Sequence, residues 1–574
     1  MPGFFICSGA TGYELVNRYP EKYVQGSLYF DGYTFKRSTL SKFMEDKVLE
    51  KRDSNSVVLL EGFLLNKKSL YEKYEVSSIG ALLEVMYEKN GEAFFSEFNG
   101  RFSGALYDAE KKKMIVYTNQ IGDKPVFYYC QNGNCIIGSE LVYLADYCKE
   151  TEFPLTIDEE WAYQLLTFGY VASDNTFAKQ IKRLHGGDYL VICDGGIQVR
   201  TYHRFKANVN RFMGKNDEEI IDEIDSAFKK AVNMEWSKDD EYGYHHLSDM
   251  SGGLDSRMNY WVAKSMNKGK AMLMTYCKSG YLDEQIAMQV AEYWHEELLF
   301  KPLDDASFMF DIDENTAMLG GLSFYSGITG GKRMLESLDL ASYGIEHTGM
   351  IGDVALGSFF NSSDELRKNS YTPLYSNKLT NRLGDNIFKL YENYPSIETY
   401  LMYVRGFHGA CNTHLIRENY IEVWSPFLDI DFLQLCFDLP PEKKVGHYIY
   451  KKWMIAKYPE AANIRWEKTN GLINEGYLIT TLKQLGRRLS RKVKKMIGLN
   501  SQKKWGMNPL DYWLETNTEL SIYMDEYMED AVQRVEEKCS KQLIVDLHMM
   551  YTEGNAIEKS MVLTVLSTIK QFVC

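Results

Sequence analysis

The order of apolar and polar positions changes character twice along the chain. Over the first 150 residues, short apolar and aromatic runs are broken by glycine, asparagine and charge. The stretches 57–65, 102–109, 113–120, 125–130 and 135–141 have the length and residue types of strands. NGNC between the last two reads as a hairpin turn, and 78–91 reads as a helix. A helix over 156–171 and strand-forming sequence over 181–196 follow. This predicts a layered, β-rich first domain over 1–205.

From residue 216 the apolar spacing becomes helical. Ile221, Ile224, Phe228 and Val232 form one stripe, and Asn216 with Glu219 has the spacing of a capping box. Strand (244–250), helix (255–266), strand (270–277) and helix (283–297) then alternate. That order predicts a parallel sheet with its ligand at the carboxyl ends of the strands. Asp249 makes the first of these strands more polar than a buried parallel strand usually is. The second domain is placed at 210–475. In the remainder, 476–574, a basic stripe (482–498), a loop (501–513) and helices over 519–539 and the last 20 residues predict a helical tail.

Composition narrows the function. The 574 residues carry 79 acidic and 65 basic side chains, a formal charge of -14, which argues against a nucleic-acid binder. No apolar run reaches the roughly 20 residues of a membrane span, and the N-terminus lacks the pattern of a secretory signal. The ten cysteines are scattered without C-x-x-C and are expected to be unpaired, as in a reducing cytoplasm. The histidines show no metal-ligand spacing. His245 and His246 are neighbours, so on a strand they face opposite ways.

The candidate chemistry sits at 247–257, LSDMSGGLDSR. A strand ends, Ser251, Gly252 and Gly253 turn, and Asp255 and Ser256 open a helix. Free N–H groups and the helix dipole meet there and favour an anion. A loop of N–H donors and hydroxyls cradles phosphate without the lysine of a Walker loop. SGGxDS matches the pyrophosphate (PP) loop of enzymes that cut ATP into AMP and pyrophosphate.

EGFLLNKKSL (61–70), FNGRFSGALYDAEKKKMIVYTNQIGDKPVFYY (98–129) and IGSELVYL (137–144) resemble the glutamine amidotransferase domain of asparagine synthetases. Further on, IEHTGMIGDVALGSFF (345–360), the SPFLD within 418–444 and the KTNG within 446–472 resemble that family's later segments, in the family's order. The resemblance covers roughly residues 1–475. It implies an αββα sandwich of the Ntn-hydrolase kind, then a parallel-sheet ATP pyrophosphatase domain. It implies ATP and Mg²⁺ as cofactors. Ser251, Gly252, Gly253, Asp255, Ser256, Gly349 and Gly352 would bind the nucleotide. Asp255 and Asp353 would hold the metal, and Lys468, with Asp255, would serve the chemistry. Pro426 and Asp429 are read as structural. Met350 stands where the family often has glutamate.

The first domain departs from the family. Pro2 stands where a nucleophilic cysteine is expected, Glu61 where an oxyanion-binding asparagine is, and Asn119 and Gln120 replace the usual aspartate and arginine. Cys7 has no free α-amine to act as base. The expectation is therefore a silent glutaminase domain. It precedes a ligase that adenylates a carboxylate, aspartate by family default, and transfers ammonia or another amine. Alternatives are amidation of a surface-polysaccharide sugar acid, a lasso-peptide macrolactam cyclase, or a silent ATP-binding scaffold. The partners expected are small-molecule or peptide carboxylates, and the resemblance allows a homodimer.

Overall fold

The computed structural model describes residues 2–15, 23–131, 133–151, 153–193, 195–327, 331–360, 374–474 and 506–574. The basic stripe 482–498 lies outside the described residues.

Twelve strands build the first part: β1 (Gly3–Ser8), β2 (Tyr23–Phe30), β3 (Tyr33–Leu40), β4 (Val48–Lys51), β5 (Ser56–Leu64), β6 (Gly100–Asp108), β7 (Lys113–Thr118), β8 (Phe127–Gln131), β9 (Asn134–Gly138), β10 (Lys182–Arg183), β11 (Asp188–Cys193) and β12 (Gly196–Thr201). They form two antiparallel sheets, ordered β10-β8-β9-β1-β3-β2 and β12-β11-β7-β6-β5-β4. The strand period of two decides which side chain joins which layer. In β1, Phe4 and Ile6 enter the core between the sheets. Phe5 and Cys7 point the other way, toward the helices Leu141–Glu150 and Glu159–Phe168. In β6, Ala105 and Tyr107 face between the sheets while Phe102 and Leu106 meet the helix Ile79–Asn90. The result is the αββα sandwich.

The second part carries β13 (His245–Asp249), β14 (Ala271–Cys277), β15 (Leu298–Pro302), β16 (Tyr343–His347) and β17 (Glu422–Trp424). All pair in parallel, in the order β15-β14-β13-β16-β17. The chain runs one way from β13 to β15 and the other way from β16, so the strand order reverses between β13 and β16. A crevice opens at the carboxyl ends of such a pair. The helix Asp217–Tyr242 has its capping box, with Asn216 and Glu219 bonded reciprocally, and its stripe Ile221, Ile224, Phe228 and Val232 is buried.

The structure departs from sequence expectation in three places. Cys130 and Cys135, opposite each other across β8 and β9, form a disulfide, so the cysteines are not all unpaired. The stretch read as a loop at 501–513 contains the start of a helix, Leu510–Thr516, which buries Trp513. The tail also does not stand apart. Leu563 and Leu566 of the helix Ala556–Phe572 share one core with Trp161 of the first part and Leu247 of β13.

A buried lattice of ions joins the two parts. Arg101 of β6 donates to Glu418 at 2.8 Å and to Asp123 at 3.2 Å. Lys124 reaches the same Glu418 oxygen at 2.7 Å. Lys47 meets Glu422 of β17 at 2.8 Å, and His414 meets Asp123 at 2.9 Å. Burial alone would raise the Glu422 carboxyl, but Lys47, Lys124 and Arg101 pull it down to about 2. Removing one partner of such a lattice leaves a buried charge uncompensated. Glu418→Ala, which strands Lys124 and leaves Arg101 with Asp123 alone at close range, is expected to cost about 3–5 kcal/mol, read as a lower urea midpoint. Lys230→Ala, at the exposed pair with Asp431, should leave the midpoint essentially unmoved.

Candidate functional site

β13 ends at Asp249, and the chain turns through Ser251–Gly253 into the helix Asp255–Ser265. β16 ends at His347 and runs into a second turn at Thr348–Asp353. The two turns are locked together. A Cβ on Gly349 would lie 2.2 Å from the Ser256 nitrogen, and one on Gly352 would lie 2.6 Å from Asp255 Cγ. Only glycine lets the second turn press onto the helix N-terminus. Between them Ile351 holds a φ of 73°, a left-handed conformation that is costly for a β-branched residue.

Within the first turn, Ser256 Oγ accepts from the Ser251 N–H at 3.0 Å and lies 3.0 Å from Ser251 Oγ. Gly253 N–H donates to Ser251 Oγ at 3.2 Å. Gly252 turns its N–H to Asp283 at 2.7 Å. A Cβ on Gly252 would meet Asp283 and Glu467 at 2.5 and 2.6 Å, so that glycine is fixed by packing. Buried Arg257 donates to the carbonyls of Arg465, Ile464 and Ala461. It thereby anchors the segment that carries Lys468.

The electrostatics follow from this closeness. Burial, and then the neighbouring Asp353 charge, push the Asp255 carboxyl well up, while Tyr450 O–H, 2.8 Å from Asp255 Oδ1, works against the shift. Asp353 is likewise raised by burial and opposed by the positive charges of Lys468 and Arg405. Two neighbouring carboxylates that resist joint ionisation suit a divalent cation, which takes one or two carboxylates and completes its shell from phosphate and water. Burial also lifts Asp283, to about 6.

Ser251, Asp255, Ser256, Gly349 and Asp353 line one cavity of about 470 Å³ with Asp249, Tyr276, Arg417, Met507 and Asn508. A second cavity, of about 510 Å³, shares Met350, Ile351, Asp353 and Ala410 with the first and contains Lys468. Its walls include Tyr170, Phe324, Phe359, Tyr375 and Arg405. The structure thus gathers the expected residues around Asp353 but sorts them. Gly252, Gly253 and Gly352 are not among the residues lining either cavity, and Lys468 lines the adjoining chamber. Asp249 Oδ1 and Asn508 Oδ1 are buried acceptors without a partner among the described residues. Such oxygens fit a ligand that brings N–H or O–H donors.

Sequence reasoning missed Asp283, Tyr450, Arg417 and the pair Met507–Asn508. The one available signal was Asp249, a carboxylate in an otherwise apolar parallel strand. Pro426 and Asp429 are structural as expected. Asp429 caps the helix Ile430–Asp438 through the Phe432 N–H at 3.0 Å and accepts from Asn99 at 2.7 Å.

The first domain's matching positions are turned inward. Pro2 is buried, and Ser139 Oγ, which accepts from the Phe4 N–H at 2.9 Å, sits where a Cβ on Gly3 would be. Cys7 is wholly buried, and burial raises its thiol. Glu61 is buried 3.8 Å from Arg37. Asn119 donates to Asp123 at 2.6 Å, and Gln120 to the Phe98 carbonyl at 2.7 Å.

A family described as glutamine amidotransferase domain matches residues 45–203. A putative asparagine synthetase (glutamine-hydrolyzing) 2 of Methanocaldococcus jannaschii is 24% identical over 220 residues, covering 37% of this chain and 42% of that protein. Asparagine synthetase B (glutamine-hydrolyzing) of Escherichia coli is 24% identical over 227 residues, covering 38% and 34%. The aligned regions span less than half the length of these relatives. Among solved structures, an allosteric regulatory enzyme of purine biosynthesis aligns with 52% of this chain at 10% identity and a TM-score of 0.24, too slight a likeness to argue from. Residues 45–203 thus match a glutamine amidotransferase domain, and the chain is similar to a run of asparagine synthetases.

Proposed function

We propose that this chain is an ATP-dependent ligase that activates a carboxylate as its adenylate and passes it to an amine, releasing AMP and pyrophosphate. One observation carries the reading. The two glycine turns are interlocked so that Asp255 and Asp353 lie together at a cavity between the carboxyl ends of β13 and β16, with the Lys468 charge acting on both carboxylates. A helix N-terminus, hydroxyl donors and paired carboxylates are the means of holding a metal-bound triphosphate. Asp255 and Asp353 would hold magnesium, which supplies charge neutralisation at the phosphates.

The residues then divide the work. Ser251 and Ser256 hydroxyls and the start of the helix Asp255–Ser265 orient the phosphates. Asp249 Oδ1 and Asn508 Oδ1 accept from the nucleoside end. A substrate carboxylate seated in the second chamber attacks the α-phosphorus, pyrophosphate leaves, and Lys468 stabilises the charge that develops. An amine then attacks the activated carbonyl and AMP departs. The chain's contribution is positioning and electrostatics.

The second chamber favours an acceptor larger than free aspartate. Its volume exceeds an aspartate several-fold, and its aromatic walls offer stacking surface, with Arg405 as a carboxylate partner. The nitrogen would come as ammonia or an amine rather than from glutamine. Pro2 offers no nucleophile, Cys7 is buried in a raised, protonated state, and Glu61 stands where an oxyanion would need donors.

The decisive measurement is AMP and pyrophosphate release from Mg·ATP by the full chain. Reactions contain ammonia or glutamine, each with aspartate, a uronic acid or an acidic peptide. AMP release with ammonia, none with glutamine, and more with a larger carboxylate than with aspartate is the expected outcome. Equal rates with glutamine would refute the silent glutaminase. No AMP with any carboxylate, together with no ATP binding, would refute the ligase reading. Asp255→Ala is expected to abolish release, and Lys468→Ala to lower kcat by about 10²–10³-fold. Gly349→Ala is expected to lose nucleotide affinity, with a stability cost of about 1–3 kcal/mol from overpacking, read by ATP titration and urea denaturation on the same sample.

A further inference from the structure

Behind the sheet, away from the cavity, three side chains from three elements converge. Asp239 comes from the last turns of the helix Asp217–Tyr242, His246 from β13 and His347 from β16. Asp239 and His347 are wholly buried, and His246 is 4% exposed. Asp239 Oδ2 lies 3.1 Å from His246 Nδ1 and 2.9 Å from His347 Nε2. The donor atoms of all three residues lie within 4.8 Å of one another.

The far nitrogens of both rings also face carboxylates. His347 Nδ1 is 2.7 Å from Glu235 Oε1, and His246 Nε2 is 3.5 Å from Asp240 Oδ1. A carboxylate on the far nitrogen favours the N–H there, so that with a metal bound the near nitrogen would offer its lone pair, as second partners of metal-bound histidines arrange. Two imidazole nitrogens and a carboxylate oxygen thus converge in a buried site. Trp236 closes one side, stacked on His347 at 4.2 Å and lying 4.6 Å from His246. Glu235 Oε2 is buried and without a hydrogen-bond partner among the described residues. Protons on the two imidazoles make these contacts pair by pair, whereas one divalent cation in their place would satisfy all three donors together.

We propose that Asp239, His246 and His347 bind a structural transition-metal ion of the zinc class, with Glu235 and Asp240 orienting the two imidazoles. Two imidazoles and a carboxylate are a donor set that zinc accepts. The ion would tie the helix Asp217–Tyr242 to β13 and β16, the two strands that feed the glycine turns. The site is independent of the ligand assigned to the cavity, since it lies on other residues.

The test is elemental analysis of the full chain, made in zinc-supplemented medium and purified without a metal-affinity step. About one equivalent of zinc per chain that survives gel filtration is expected. Treatment with a chelator should lower the melting temperature, and re-addition of zinc should restore it. His347→Gln and Asp239→Asn should each lose the metal. His245→Ala, on the exposed face of the same strand, should keep it. Less than about a tenth of an equivalent of any transition metal in the unaltered chain overturns the proposal; the cluster is then held by protons on the imidazoles. Because the first readout is the metal content of the unaltered chain, misfolding of a variant does not obscure the answer.

Discussion

The close approach of the two glycine turns is the constraint on which the candidate site depends. Gly349 and Gly352 have no side chain because the Asp255–Ser256 peptide and the Asp255 carboxylate occupy that space. The contact sets two acids side by side in a buried place, and each resists ionisation there, Asp255 because of burial and then the neighbouring charge. Ile351, left-handed and buried, stores part of the cost of holding the turn in this shape. The surrounding packing over-determines the strain. Thr348 N–H donates to the Trp424 carbonyl at 2.9 Å, and Ser425 Oγ to the Met350 carbonyl at 3.0 Å. The segment containing SPFLD therefore acts by bracing the second turn.

The same economy explains the first domain. In its sandwich, Pro2, Cys7, Glu61, Asn119 and Gln120 are buried in packing and polar contacts. Besides the apolar core it shares with the tail helix, it is joined to the second part by the buried lattice of Arg101, Lys124, Lys47, Asp123, Glu418 and Glu422, with three positive and three negative side chains. Such a lattice adds little net stability over an apolar interface but penalises any other docking arrangement through stranded charge. A domain that keeps the lattice fixes the position of β17 at the edge of the parallel sheet, and through Trp424 the position of the second turn.

Much of the fold was legible because its signals are local. Short apolar and aromatic runs between turn residues marked β5–β9, and the capping box and apolar stripe marked the helix Asp217–Tyr242. The alternation of strand and helix marked the parallel sheet. The short edge strands β15 and β17 were not legible, since five and three residues carry too little pattern. The disulfide was missed for a different reason. Cys130 and Cys135 pair because the hairpin register sets them opposite each other, and register is a property of two strands rather than of either alone. The helix Leu510–Thr516 was hidden by the Gly-Met-Asn-Pro sequence before it, which reads as a breaker.

The sequence by itself determined the two turns and their order and the acids Asp255 and Asp353, because these are matters of residue type at a fixed spacing. The tertiary structure alone decided what those residues face. It left Gly252, Gly253 and Gly352 out of the lining of either cavity, turned the Gly252 N–H to Asp283, put Lys468 in the adjoining aromatic chamber, and brought Asn508 from the tail to the first cavity. It also gathered Asp239, His246 and His347, which are as much as 108 residues apart and show no ligand spacing along the chain. Local sequence sets backbone preference over a few residues. Contacts between distant residues exist only once the sheet order and the packing of helices on it are fixed, and no spacing along the chain records them.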